Sequence, residues 1–250
     1  MKHGEARLTP LHYGSENEVN IFVHGFRAIS NEEEMELLAG QILKLKPRGW
    51  VYLFHWGSGQ WQYKMKQDFG STMSLTVRTL ARGLVMPYVA PLKGLLFILD
   101  FKRKERAAED LGRRLKRHIS KIPEAKSCKI NLIGHSLGAR VIHYALQADW
   151  SEYKINDVIL MGGAADLEDE SWEECLKQIK GKVYNAYSRN DKVLKITPDR
   201  RKRIGREPLL KGHKKLVNRE YPSFGHTDYW KRLDYILPRI WDRFKASKHL

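Results

Sequence analysis

The chain has 250 residues, 42% of them hydrophobic and 30% charged, which fits one large folded domain with a substantial core and excludes a disordered or fibrous polymer. Its 45 lysines and arginines outnumber 29 acidic residues for a net charge of +16, pointing to anionic partners such as lipid headgroups, acidic substrates or nucleic acid. Two distant cysteines, Cys128 and Cys175, have no metal-ligand spacing, and no apolar run follows Met1–Arg7; free thiols, no secretory signal and a cytoplasmic setting are the expectation.

Residues 1–17 are polar with little pattern. Val19–Val23 then reads as a buried strand ending in His24-Gly25-Phe26-Arg27. Ser30-Asn31-Glu32-Glu33 matches a capping box, predicting a helix to about Leu45. Pro47-Arg48-Gly49 resets the chain for a second strand, Trp50–Trp56, followed by the loop Gly57–Trp61.

Residues 62–100 are the least regular stretch. Within it, 84–99 is apolar but broken by Pro87, Pro91, Lys93 and Gly94, and is short of the ~20 residues a spanning helix needs. A lid over a site, an interfacial membrane anchor and a buried core helix all remain open for it. The basic run Phe101–Arg106 and a helical stretch through Arg113, Arg114, Lys116 and Arg117 follow, either as an anionic-membrane surface or as an ordinary solvated face.

The most informative stretch is Lys129–Tyr144. A short apolar run ends in Gly134-His135-Ser136-Leu137-Gly138, and a helix-like pattern begins at once. Gly-x-Ser-x-Gly alone is a weak signal; between a strand and a helix it describes a nucleophile elbow. There the serine must stand clear of the sheet on a sharp turn. Glycines at 134 and 138 let strand and helix approach closely, and the Leu137 N–H at the helix start would face a developing oxyanion. The loop after the first strand would supply the second oxyanion donor, from Phe26.

Beyond the elbow, Val158–Met161 reads as a strand closed by Gly162-Gly163-Ala164-Ala165-Asp166, then a short helix near Trp172–Ile179. Lys182–Ser188 is another strand, running into Arg189-Asn190-Asp191, and a second basic cluster spans Arg200 to Lys215. A weaker strand, Leu216–Tyr221, precedes Gly225-His226-Thr227 and a closing amphipathic helix. Strands alternating with helices imply a parallel sheet covered on both faces.

On such a sheet the order Ser…Asp…His identifies a triad: Ser136 as nucleophile, Asp191 as orienting acid and His226 as general base. Asp166 also ends a strand and is the rival acid. His213 in the basic loop, His143 on the elbow helix and His135 in the elbow itself are lesser candidates for the base, although His135 could shape the site without moving protons.

The segments Gly-His-Ser-Leu-Gly-Ala-Arg-Val-Ile, Leu-Met-Gly-Gly-Ala, Val-Tyr-Asn-Ala-Tyr-Ser-Arg-Asn-Asp-Lys-Val-Leu and Gly-His-Thr-Asp-Tyr together resemble the α/β-hydrolase superfamily. More narrowly they resemble the transmembrane-and-coiled-coil-domain hydrolase-like group, a former domain of unknown function, over roughly residues 18–235. The resemblance implies an α/β-hydrolase fold, a serine hydrolase needing no cofactor, and Ser136, Asp191 and His226 as its triad; the residues themselves are read as a single domain over 1–250, with a lid or interfacial segment at 62–100 and no metal site. It implies no substrate. The chain shows no coiled-coil heptads and no full-length span, so peripheral rather than integral association with an anionic membrane is expected. An ester, lipid or other acyl, is the expected substrate. A non-catalytic scaffold on the same fold is the alternative, and nucleic-acid binding is disfavoured because no recognition motif accompanies the basic clusters.

Overall fold

The computed structural model describes residues 6–25, 32–56, 86–195, 199 and 201–241, with backbone alone at 32 and 86–101. The capping residues Ser30 and Asn31, the oxyanion candidate Phe26, the Gly57–Trp61 loop and most of the expected insertion lie outside the described residues.

Among the described residues, seven strands form one sheet: β1 (Arg7–His12), β2 (Glu16–Val23), β3 (Gly49–His55), β4 (Lys129–His135), β5 (Lys154–Met161), β6 (Val183–Tyr187) and β7 (Leu216–Glu220), in the order β1-β3-β2-β4-β5-β6-β7. Only β1 runs antiparallel; β2 through β7 are mutually parallel. Parallel strands are joined by crossovers that place helices on both faces, so alternate residues of one strand enter different cores. Ile130 and Leu132 of β4 pack on one face with Ala108, Leu115, Val141 and Ile142, whereas Ile133 packs on the other with Leu38, Ile42, Ile236 and Ile240. The fold class is therefore the expected one, a mostly parallel α/β sheet.

The helices are α1 (Glu32–Leu43), α2 (Met86–Ile119), α3 (Leu137–Leu146), α4 (Trp172–Gln178), α5 (Lys192–Lys195), α6 (Asp228–Lys231) and α7 (Leu233–Ile240). Several details differ from the sequence expectation. Arg7–His12 is a strand, because an edge strand against β3 tolerates Pro10 and needs only one covered side. Helix α1 stops at Leu43, and the chain turns through Lys46 at φ 49°. The closing helix is two, separated at Arg232.

The largest difference concerns α2. The apolar stretch and the basic stretch after it form one helix of 34 residues, about 50 Å long. From residue 102 onward its two sides separate. Lys102, Arg103, Arg106, Arg113, Arg114 and Arg117 are exposed, while Glu105, Ala108, Leu115 and Ile119 are buried against the sheet and α3. Among the described residues, no helix is long and apolar enough to cross a membrane. Cys128 and Cys175 are buried free thiols.

Candidate active site

Ser136 joins β4 to α3 with φ 55° and ψ −122°, a conformation an L-residue adopts only when its surroundings impose it. The surroundings are specific. The Ser136 N–H donates to Met161 O at 3.1 Å, and the Ser136 carbonyl accepts from Ala139 at 3.1 Å and Ala164 at 2.9 Å. A Cβ on Gly138 would stand 2.1 Å from the Val23 carbonyl oxygen, so only glycine lets α3 start this close to β2. On the other side a Cβ on Gly25 would fall 2.6 Å from Ser136 Cβ. The loop after β2 thus lies directly against the serine.

His226 and Asp191 reach Ser136 from loops after β7 and β6, at the same carboxyl edge of the sheet. His226 Nε2 is 2.8 Å from Ser136 Oγ, and His226 Nδ1 is 2.7 Å from Asp191 Oδ2. The carboxylate accepts from Nδ1–H, which leaves the Nε2 lone pair for the serine proton. Asp191 is fully buried, and its Oδ1 accepts from the Leu194 N–H at 3.0 Å, a bond made at the start of α5. Ser188 Oγ donates to Phe224 O at 2.8 Å, tying the loop of Asp191 to that of His226. Ser136 itself is only 2% exposed.

The remaining sequence candidates lie elsewhere. Asp166 accepts from Arg140 at 3.3 Å, from Arg201 at 2.8 Å and from Arg203, with no bond to His226. Its carboxylate belongs to a buried ionic cluster in which Arg140 also meets Glu109 at 2.8 Å and Arg203 meets Glu105 at 2.8 Å. Burial raises the Glu105 carboxyl above its usual range and lowers Arg203 to about 10. The cluster clamps α2 to the elbow helix and to the 199–203 segment. Its members span 98 positions between Glu105 and Arg203, so no local spacing could have revealed it.

His143 is 2.9 Å from Ser171 Oγ and stacks on Trp172 at 3.9 Å. Burial lowers it to about 4. Ser171 donates to Asp169 at 2.7 Å, so His143 donates to Ser171 and cannot act as its base. His213 caps a turn through the Lys215 N–H at 3.2 Å. His135 touches the loop of His226, its Nε2 2.8 Å from the His226 carbonyl oxygen.

His24 carries a role that its sequence signal, a bare His-Gly pair, only hinted at. Its Nδ1–H donates to Gly25 O at 3.0 Å, its Nε2 accepts from the Trp56 N–H at 3.3 Å, and the Trp56 indole N–H donates to His24 O at 3.0 Å. These bonds fasten the loop facing Ser136 to the end of β3. Burial lowers His24 to about 3, with its bond to Gly25 opposing the shift. Among the described residues, no group of three His, Cys, Asp or Glu side chains is arranged to hold a metal.

Strand order, positive-φ elbow and the Ser…Asp…His sequence of loops together describe an α/β-hydrolase fold. Distant structural likenesses include a predicted CIB-like hydrolase from Thermoplasma acidophilum (12% identity, 96% of this chain and 93% of that one, TM-score 0.49). Another is the carboxylesterase CesB from Bacillus subtilis (10% identity, 96% and 87%, TM-score 0.49). In sequence, 122 residues are 34% identical to an uncharacterized membrane protein, F35D11.3, of Caenorhabditis elegans, covering 44% of this chain and 20% of that protein. A further 72-residue match, 38% identical, is to the transmembrane and coiled-coil domain-containing protein STS1 of rice, covering 27% of this chain and 11% of that protein. These matches thus span a fifth or less of the relatives' own length. The model of the family described as "Protein of unknown function (DUF726)" matches residues 5–241, and the chain belongs to that family.

Proposed function

We propose that the protein is a serine hydrolase that cleaves an ester through an acyl-enzyme on Ser136. One observation carries this reading: a continuous hydrogen-bonded chain from Ser136 Oγ through His226 to Asp191, at 2.8 and 2.7 Å, set on a strained elbow. Strain of this kind persists only where the surroundings over-determine it, and it clusters at functional sites.

The steps follow from the geometry. Ser136 Oγ attacks the ester carbonyl carbon while His226 Nε2 takes its proton, and Asp191 stabilises the imidazolium so formed. The tetrahedral oxyanion lies at the start of α3, where the Leu137 N–H has no intrahelical acceptor and the helix dipole is favourable; the Phe26 N–H is the proposed second donor. Collapse breaks the bond to the alkoxy oxygen, which leaves as the alcohol with the proton from His226. Water, deprotonated by the same nitrogen, then releases the acid and restores Ser136.

The expected substrates are lipid or other acyl esters presented at an anionic surface, with the exposed arginines and lysines of α2 drawing the protein to it as a peripheral, cytoplasmic enzyme. The rice match supports kinship with the transmembrane-and-coiled-coil-domain group. A fluorophosphonate probe tests the chemistry: wild type should label, and Ser136→Ala and His226→Ala should not. Esters of graded acyl length, with and without anionic vesicles, test the substrate class; indifference to both would remove the lipid assignment. No labelling under any condition, alongside vesicle or partner binding, would make the protein a scaffold on a hydrolase fold.

A further inference from the structure

We propose that His135 is a positioning residue for the general base: its ring N–H grips the backbone of His226 and sets that imidazole against the Ser136 hydroxyl. The inference rests on the hydrolase reading above. His135 is the last residue of β4, adjacent to the nucleophile, and its Nε2 lies 2.8 Å from the His226 carbonyl oxygen. A carbonyl only accepts, so Nε2 carries the hydrogen. Among the described residues the other nitrogen, Nδ1, is buried and has no hydrogen-bond partner. Burial, assisted by the nearby His226, lowers His135 to about 3, so it remains a neutral donor while His226 gains and loses its proton.

The ring is wedged in place. Its centroid lies 5.0 Å from that of His226, 5.8 Å from Tyr229 and 5.7 Å from Trp230, and the residue is 5% exposed. Within the turn that carries His226, the Gly225 N–H donates to Asp228 at 2.7 Å and the Asp228 N–H donates to Gly225 O at 3.2 Å. The elbow and the turn of the base, some 90 residues apart, meet among the described residues through two hydrogen bonds: Ser136 to the His226 ring and His135 to the His226 backbone. The second places the ring for the first. A residue that only filled this space would be better as an apolar ring, because burying an imidazole carries a desolvation cost that an apolar ring does not. Keeping the imidazole is explained by the donor.

The test compares His135→Met, which fills the space without a donor, with His135→Gln, whose amide can still reach the His226 carbonyl. Four properties are read on the whole chain: kcat and KM for a p-nitrophenyl ester, the pH profile of kcat/KM, thermal midpoint, and the low-field proton resonance of the His226–Asp191 hydrogen bond, assigned by its loss in His226→Ala. In His135→Met, kcat should fall about tenfold or more while KM stays within about twofold, since a small misplacement of a base lowers turnover rather than binding. The low-field resonance should broaden or move, and His135→Gln should restore most of both. A methionine variant within about twofold of wild type in kcat, with the resonance unchanged, overturns the proposal. So does equal loss in both variants that only follows their thermal midpoints. If His135→Met does not fold, His135→Phe replaces it as the donorless variant. If wild type neither turns over esters nor labels with fluorophosphonate, the hydrolase reading fails by itself. The resonance then still decides whether His135 places His226, because its shape needs no turnover.

Discussion

The φ of 55° at Ser136 can be weighed by comparing Ser136→Ala with Ser136→Gly. Both lose the hydroxyl and its bond to His226, so their difference isolates the backbone and the Cβ. At an unstrained buried position alanine would be favoured by roughly 1.5 kcal/mol: about 0.7 from backbone entropy and about 0.8 from the buried methyl. At this position alanine must also hold a conformation costing about 1–3 kcal/mol, which glycine adopts freely. The balance then runs from about 0.5 kcal/mol in favour of alanine to about 1.5 kcal/mol in favour of glycine. Urea denaturation at neutral pH, with equal m-values as the check on two-state behaviour, measures it directly. In a thermal melt the glycine variant should fall between about 2 °C below and about 5 °C above the alanine variant. If the alanine variant is the more stable by 1.5 kcal/mol or so, the elbow stores no strain and the argument built on it is wrong.

Asp191→Asn should lower Ser136 labelling by about 10³–10⁴-fold, because an amide stabilises neither the required tautomer nor the imidazolium. Asp166→Asn should leave labelling within a few-fold of wild type; the reverse pattern would transfer the role of the acid to Asp166. Arg140→Ala leaves Asp166, Glu109 and Glu105 short of a cation at a buried site, and should destabilise the fold by about 3–5 kcal/mol in urea. A loss below about 1 kcal/mol would show that the cluster does not clamp α2 to the elbow helix. Stability should also depend on pH below neutrality. His24 and His135 at about 3 and His143 at about 4 lie under the unfolded value, so the unfolded chain binds protons that the folded one refuses. Their contribution is fully present above pH ~6.5 and is lost as pH falls toward 4, at up to about 1.4 kcal/mol per pH unit for each ring. Glu105, raised by burial, works in the opposite sense as a single group. Urea midpoints that stay level or rise between pH 6.5 and 4.5 would show that these imidazoles are not held neutral.

What the sequence determined by itself is what short-range constraints carry. The elbow was legible because strand, glycine, serine, glycine and helix must follow within ten residues for the turn to exist, and Gly138 against Val23 shows how little room that turn has. The parallel sheet was legible from apolar runs alternating with helical pattern, since a strand buried on both faces has no polar side to interrupt it. Strand β1 was not, because an edge strand needs only one covered side and tolerates a proline. Nor was the continuity of α2, where prolines at 87 and 91 argued for breaks in a stretch whose backbone is helical from Met86 to Ile119.

Tertiary structure alone decided which loops meet. Asp166 and Asp191 look alike in sequence, each ending a strand beyond the elbow. Sheet order places Asp191 beside the β7 loop that carries His226, and turns Asp166 toward the arginines at 140, 201 and 203. The same holds for His24 and His135. His24 accepts from the Trp56 N–H 32 positions away, and His135 donates to the His226 carbonyl at 2.8 Å, 91 positions away; no local pattern encodes either contact.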